Sequence, residues 1–275
     1  MTGATAQDGL WADLESEGES VDWLVASLAD PAEWRRPTPA EGWTVAHQIG
    51  HLAWTDRISL LAVRDPQEFA VFAAAAAGDP KGAVEAGAAE GTVDAGPKLL
   101  ARWREGRHAL VEALARADPD RKLPWFGPPM KPTSMATARL METYAHGQDI
   151  ADALSVERPA TARLRHICHL GVRTRDYAHR VRGLPVPSEA FRVELTGPHG
   201  EEWNWGPEGA VQSVRGRALD FALLVTRRRH RTDLGLAAVG DDANRWLDIA
   251  QAFAGDPGKD PAPGSQIWTV QHGQS

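Results

Sequence analysis

The chain has a single cysteine, Cys168, among its 275 residues. An internal disulfide is therefore impossible, and the disulfide-stapled class of small folds is excluded. Basic runs are absent apart from Arg227-Arg-Arg-His-Arg231, and the net charge is −7. A nucleic-acid partner is not expected from such a balance. No apolar stretch approaches the ~18 residues of a membrane span, so no membrane partner is expected either. The opening residues, Met1-Thr-Gly-Ala-Thr-Ala-Gln-Asp8, lack a basic segment followed by an apolar one. That argues against a secretory signal, and the expected location is cytoplasmic. Tyrosine is scarce, two against 11 tryptophans. Each Trp brings a large apolar area and one N–H that needs a partner, so most are expected in the core or at its boundary.

What is present is ordinary for a globular chain: 43% hydrophobic and 24% charged residues. The length suits one large domain or two smaller ones. Apolar residues recur at helical spacing over roughly the first 30 positions, then from Thr44 to about Arg64, from Pro97 to about Ala117, and from Thr133 to Leu154. A fifth helix is expected from Thr161 to Val181, ending at Gly183. Residues 65–96 are rich in Ala, Gly and Asp and predict a short helix within a long connection. Beyond Gly183 the period changes. Phe191-Arg-Val-Glu-Leu-Thr196 and Glu201-Glu-Trp-Asn-Trp205 alternate as half-buried strands do. Helices follow near 218–227 and 245–253, and Gln266-Ile-Trp-Thr-Val270 could close a sheet edge. The expected fold class is α+β: a helical domain, 1–183, built as a four-helix bundle, then a small mixed α/β domain, 186–275.

Three side chains stand out. Glu142 and His146 are four apart in the fourth predicted helix, so they stack on one face. Met135, Ala138, Ala145 and Asp149 share that side, which turns the pair inward. A buried carboxylate is costly unless paired or ligated. His51, in the second helix, offers another imidazole. Two His and one carboxylate form a three-ligand metal site with an open position, placed where bundles put such sites. His47 lies one turn before His51 and would close the site if it joined; it is read instead as a neighbour of the ligands. Asp149 is placed to orient the His146 ring. His166, Cys168 and His169 fall on different helix faces, and Cys168 reads as a small buried residue.

Gly42-Trp-Thr-Val-Ala-His-Gln-Ile-Gly-His-Leu-Ala-Trp54 resembles the G-W-[ST]-V…H-L segment of the DinB-like superfamily. Glu142-Thr-Tyr-Ala-His-Gly-Gln-Asp149 resembles the E-x-x-x-H-x-x-D signature of mycothiol-dependent maleylpyruvate isomerases within it. The module after 186 resembles that family's sterol-carrier-like C-terminal domain. The resemblance implies a four-helix bundle with a divalent metal, usually zinc, held by His51, Glu142 and His146. It also implies mycothiol as thiol cosubstrate, and Trp54, beside His51, is the residue assigned to cofactor binding. A carboxylate-binding arginine of the family falls on Arg228, although the family tends to have glycine where Arg227 stands. His47 occupies a position where the family more often has an acidic or neutral polar residue.

Three functions follow as expectations. The first is a metal-dependent enzyme that uses a low-molecular-weight thiol to isomerise or conjugate a small carboxylated electrophile, with Arg228 as carboxylate partner. The second keeps the metal and activates water, with His47 or Asp56 as base. The third is a non-enzymatic binder of an apolar ligand, with Trp203, Trp205, Trp246 and Trp268 in the C-terminal module and a structural metal. The expected partner is a small molecule, and the expected state is a monomer or homodimer.

Overall fold

The computed structural model describes residues 3–256 and 258–264, with side chains from residue 9 onward. Two compact units are present, Met1–Val156 and Glu157–Ser275. The expected edge strand at 266–270, and Trp268 with it, lie outside the described residues.

The first unit is a four-helix bundle of α1 (Gly3–Val25), α3 (Val45–Arg64), α6 (Gly96–Arg116) and α7 (Pro132–Leu154), with a one-turn α2 (Pro31–Trp34). α1 packs on α6 and α7, and α3 packs on the same two helices from the other side. Their shared core includes Val21, Leu24, Val45, Ile49, Leu52, Leu99, Trp103 and Ile150, all buried. α7 is buried nearly all round, through Met135, Arg139, Leu140, Tyr144, Gln148 and Ile150. It is the central helix, so its polar side chains must find partners inside the protein.

Residues 65–96 are more regular than their composition predicts. They form α4 (Pro66–Ala76), α5 (Pro80–Ala89) and a 3₁₀ turn, Glu90–Thr92. Both helices start at an Asp-Pro step. Asp65 accepts from the Gln67 and Glu68 N–H groups, Asp79 accepts from Gly82, and each proline takes the first helical turn. The 3₁₀ turn crosses α3 at a glycine–glycine contact. A Cβ on Gly50 would stand 2.5 Å from Ala88 O and 2.8 Å from Gly91 Cα. Backbone cannot move aside as a side chain can, so both positions require glycine.

The second unit begins with α8 (Leu164–Arg173) and α9 (Arg175–Arg180), two helices where one continuous helix is predicted. The break falls at Thr174, whose hydroxyl donates to Gln251 O at 2.7 Å. A four-stranded sheet follows, with order β2-β1-β3-β4. β1 (Phe191–Thr196) pairs antiparallel with β2 (Glu202–Trp205), with Val193 opposite Trp205. It pairs in parallel with β3 (Gln212–Arg217), with Phe191 opposite Gln212. β4 (Ala237–Val239) closes the edge. α10 (Ala218–Val225) and α11 (Asp241–Ile249) cover the sheet through Phe221 and Trp246, whose rings meet at 5.7 Å. Trp203 and Trp246 are core residues here. The architecture is α+β, as expected. The 183/186 boundary marks where helix gives way to strand, and α8 and α9 lie between it and the division of the units at Val156/Glu157.

One polar clamp ties three bundle helices together. Asp56 on α3 accepts from Trp103 Nε1 on α6 and from Arg139 Nε on α7, each at 3.0 Å. Asp56 and Arg139 are 4% and 2% exposed. Removing the carboxylate strands a buried guanidinium. Asp56→Ala is expected to cost about 3–5 kcal/mol. Arg57→Ala, which deletes the exposed Arg57–Glu90 pair, should cost no more than about 1 kcal/mol. Urea denaturation of both variants checks the contrast, and equal losses would refute it.

Candidate metal centre

α3 and α7 bring His51, Glu142 and His146 together. Glu142 Oε2 lies 3.2 Å from His146 Nε2 and 3.8 Å from His51 Nε2. The two imidazole centroids are 4.4 Å apart, and one ligand atom from each of the three residues falls within 4.8 Å of the others. Among the described residues this is the one group of three or more His, Cys, Asp or Glu side chains so arranged. Burial alone would push the Glu142 carboxyl up, but His146 and then His51, when protonated, outweigh it and hold the group well below the usual carboxylate range.

The His146 ring is fixed through its other nitrogen. Its Nδ1 lies 2.5 Å from Gln48 Oε1. Gln48 Nε2 donates to Thr38 Oγ1 at 2.9 Å and to Asp149 Oδ2 at 3.4 Å. Thr38 gives its own proton to Trp43 O at 3.0 Å, and a carboxylate only accepts, so both neighbours require the NH₂ end of the amide. Gln48 Oε1 therefore faces His146, and Nδ1 carries the ring proton. In the neutral ring, Nε2 then turns a lone pair toward a carboxylate oxygen 3.2 Å away. Two lone pairs face to face need a positive charge between them, either a proton or a cation.

His51 makes the same demand. It is 7% exposed, its Nδ1 has no hydrogen-bond partner among the described residues, and its Nε2 is beyond hydrogen-bond reach of Glu142. A divalent cation fits this donor set. Two imidazoles and a carboxylate suit zinc and its neighbours in the first transition row, with a coordination position to spare.

Indole rings flank the cluster. Trp43 stacks on His146 at 5.9 Å and 20°, and tilts against His51 at 5.2 Å. Its Nε1 donates to Glu85 Oε2 on α5 at 2.8 Å. Trp54, the residue assigned to cofactor binding, is buried 6.1 Å from His51 and touches Phe72 on α4. Asp149 is buried and reaches His146 through Gln48. His47 stands outside the cluster: its Nδ1 accepts from Thr44 N at 3.2 Å and faces Thr44 Oγ1 at 2.8 Å, completing the capping box of α3. Arg228 lies in the second unit, where its Nη1 donates to Thr226 O at 2.6 Å. Cys168 is buried, and burial pushes its thiol up, which leaves a packing residue rather than a nucleophile.

Gln48, Trp43 and Glu85 were not legible as site residues. Gln48 precedes His51 by three, so it shares that face of α3, and this spacing is the one signal that pointed to it.

The family described as mycothiol maleylpyruvate isomerase N-terminal domain matches residues 14–151. A second, described as wyosine base formation, matches residues 187–236. Uncharacterised proteins from two strains of Mycobacterium tuberculosis are 57% identical over 249 residues, covering 90% of this chain and 96% of their own length. A crystal structure of mycothiol-dependent maleylpyruvate isomerase shares the fold with a TM-score of 0.55 at 16% identity, covering 82% of this chain and 91% of that one. A histidine-to-alanine variant of that enzyme gives 0.54 at 15%. A four-helix bundle with this cluster on its facing helices, followed by a small α/β unit, is a DinB-like arrangement. The chain belongs to the mycothiol maleylpyruvate isomerase family.

If Gln48 sets the His146 tautomer, Gln48→Ala should weaken divalent-metal affinity about 10–100-fold without unfolding the bundle. Competition with a chromophoric chelator measures this, and unchanged affinity would remove Gln48 from the site.

Proposed function

We propose that this protein is a metal-dependent enzyme that uses mycothiol, a low-molecular-weight thiol, to isomerise or S-conjugate a small, carboxylated electrophile. One observation carries the reading: His51, Glu142 and His146 each bring one donor atom within 4.8 Å of the others. His51, Glu142 and His146 would hold the cation, zinc by the chemistry of the set. When bound, a divalent cation supplies Lewis acidity and lowers the pKa of a thiol brought to it.

The chain's own residues prepare that chemistry. Gln48 keeps a ring proton on His146 Nδ1, which leaves Nε2 as the nitrogen turned toward Glu142 and the cation. Trp43 and Trp54 put aromatic faces against the donor imidazoles and keep water from their sides. Trp54 is the proposed contact for the body of the thiol cosubstrate. Family membership supports thiol use, since the relative of solved structure is a mycothiol-dependent isomerase. For the water-activating alternative, Asp56 is already engaged by Trp103 and Arg139, and His47 caps a helix. The thiol reading therefore stands ahead.

Incubating the metal-loaded protein with cis-enedione acids, with and without mycothiol, is the direct test. Isomer or S-conjugate should form only when thiol is present; turnover at full rate without thiol would overturn the reading. His51→Ala and Glu142→Ala should each lower metal affinity ~10-fold or more. Chelation should abolish turnover while moving the melting temperature by only a few degrees. Collapse of the fold on chelation would make the metal structural instead.

A further inference from the structure

The turn before α3 reaches the metal cluster in two ways. Pro37 and Thr44 form an antiparallel bridge, and inside it Thr38 N donates to Trp43 O and Trp43 N to Ala40 O, each at 2.9 Å. The Trp43 carbonyl also accepts from Thr38 Oγ1, which accepts from Gln48 Nε2, and the other end of Gln48 holds His146. The Trp43 indole then stacks on that same imidazole. One residue therefore meets His146 twice, through its backbone and through its ring. The ring also lies against His51 and His47, with centroids at 5.2 and 6.4 Å. Both donor imidazoles of the cluster are thus shielded by one indole.

What holds the indole there comes from far along the chain. Trp43 is half-buried, while Pro39, Glu41 and Gly42 beside it are exposed, so the core gives this turn little packing. Trp43 Nε1 donates to Glu85 Oε2 on α5 at 2.8 Å. Glu85 is exposed, and the indole is its one hydrogen-bond partner among the described residues. A bond from N–H to a carboxylate is charge-assisted and stronger than a neutral one. Its acceptor stands on a firm base. α5 is seated on α3 by Gly87 against the Trp54 ring and by Ala88 against Gly50, contacts too close for a larger residue at either glycine. An anchored helix thus grips the ring of a loosely packed turn.

We infer that Trp43 and Glu85 form a latch over the metal centre, and that breaking the indole–carboxylate bond sets how fast a divalent cation enters and leaves. The inference rests on the metal reading proposed above. Glu85 touches none of the three donors; it is a positioning residue that acts through Trp43. A residue that merely braced the donors would, when removed, weaken affinity. A latch that closes over the cluster with or without its cation changes capture and release together and leaves affinity nearly unaltered.

The test uses the full chain loaded with zinc, with release into excess chromophoric chelator followed by stopped flow and capture measured on the metal-free protein. Glu85→Ala should release zinc ~10-fold faster and capture it faster to a similar degree, leaving affinity within ~3-fold of the parent. Its melting temperature should stay close to the parent's, because Glu85 is at the surface. Glu85→Gln keeps an acceptor for the indole and should restore most of the slow release. Trp43→Phe keeps a ring without the N–H and should match Glu85→Ala. The two combined should release no faster than either alone, since both break one bond. Release at the parent rate from Glu85→Ala, faster release with unchanged capture, or effects that multiply in the double variant would each overturn the latch while leaving the metal reading in place. A chain that takes up no divalent cation would overturn both.

Discussion

The lone pair on His146 Nε2 governs the first unit's chemistry. The Gln48 amide cannot turn, because Thr38 and Asp149 both take its N–H groups. The ring proton is thereby confined to Nδ1, and Nε2 is aimed at Glu142. A carboxylate and a bare imidazole nitrogen at that distance repel unless something positive joins them. A proton does so at the cost of a buried imidazolium; a cation does so while also satisfying His51, for which a single proton between His146 and Glu142 does nothing. The arrangement is therefore better explained by a cation than by an ion pair, and α3 and α7 are the elements that hold it open.

The bundle keeps this geometry by means separate from the cluster. Asp56 joins α3, α6 and α7 through Trp103 and Arg139. Asp22 on α1 takes Arg104 and Arg107 from α6, at 2.5–3.2 Å. Such pairs add little net stability over an apolar core, but a partner left alone in the interior is heavily penalised, so they select one packing register. The register decides whether His51 on α3 meets Glu142 on α7. A slip of one residue would rotate the donor by about 100° around its helix and dissolve the site.

The convergence of the three side chains was readable because metal ligation uses few residue types, and the helix period assigns the face. His51, Glu142 and His146 needed only their spacing and an apolar surround. Gln48 and Trp43 were not readable in the same way. A glutamine on a helix has no chemical signature until its two amide ends are seen to face different partners. Trp43 precedes α3, and its neighbours across the site, Glu85 and His146, are 42 and 103 positions away in the chain. The helices α4 and α5 were obscured by an alanine-rich composition that reads as connection, although Asp65-Pro66 and Asp79-Pro80 are start signals. β3 was missed because Gln212-Ser-Val-Arg-Gly-Arg buries two adjacent residues, Ser213 and Val214, and so breaks the alternation that strands are recognised by.

The same logic separates the two ways in which this chain spends a rare conformation. Gly50 and Gly91 are small because two backbones pass within contact, and nothing but packing is served. Arg227 does the reverse: a bulky cation occupies a left-handed position that a glycine would fill without strain. The side chain is 9% exposed, so most of its length packs within the second unit, and its ion pair with Asp260 adds little because that partner is mostly in water. What the left-handed residue secures is the end of α10, where Arg227 N donates to Leu224 O and Arg228 N to Leu223 O.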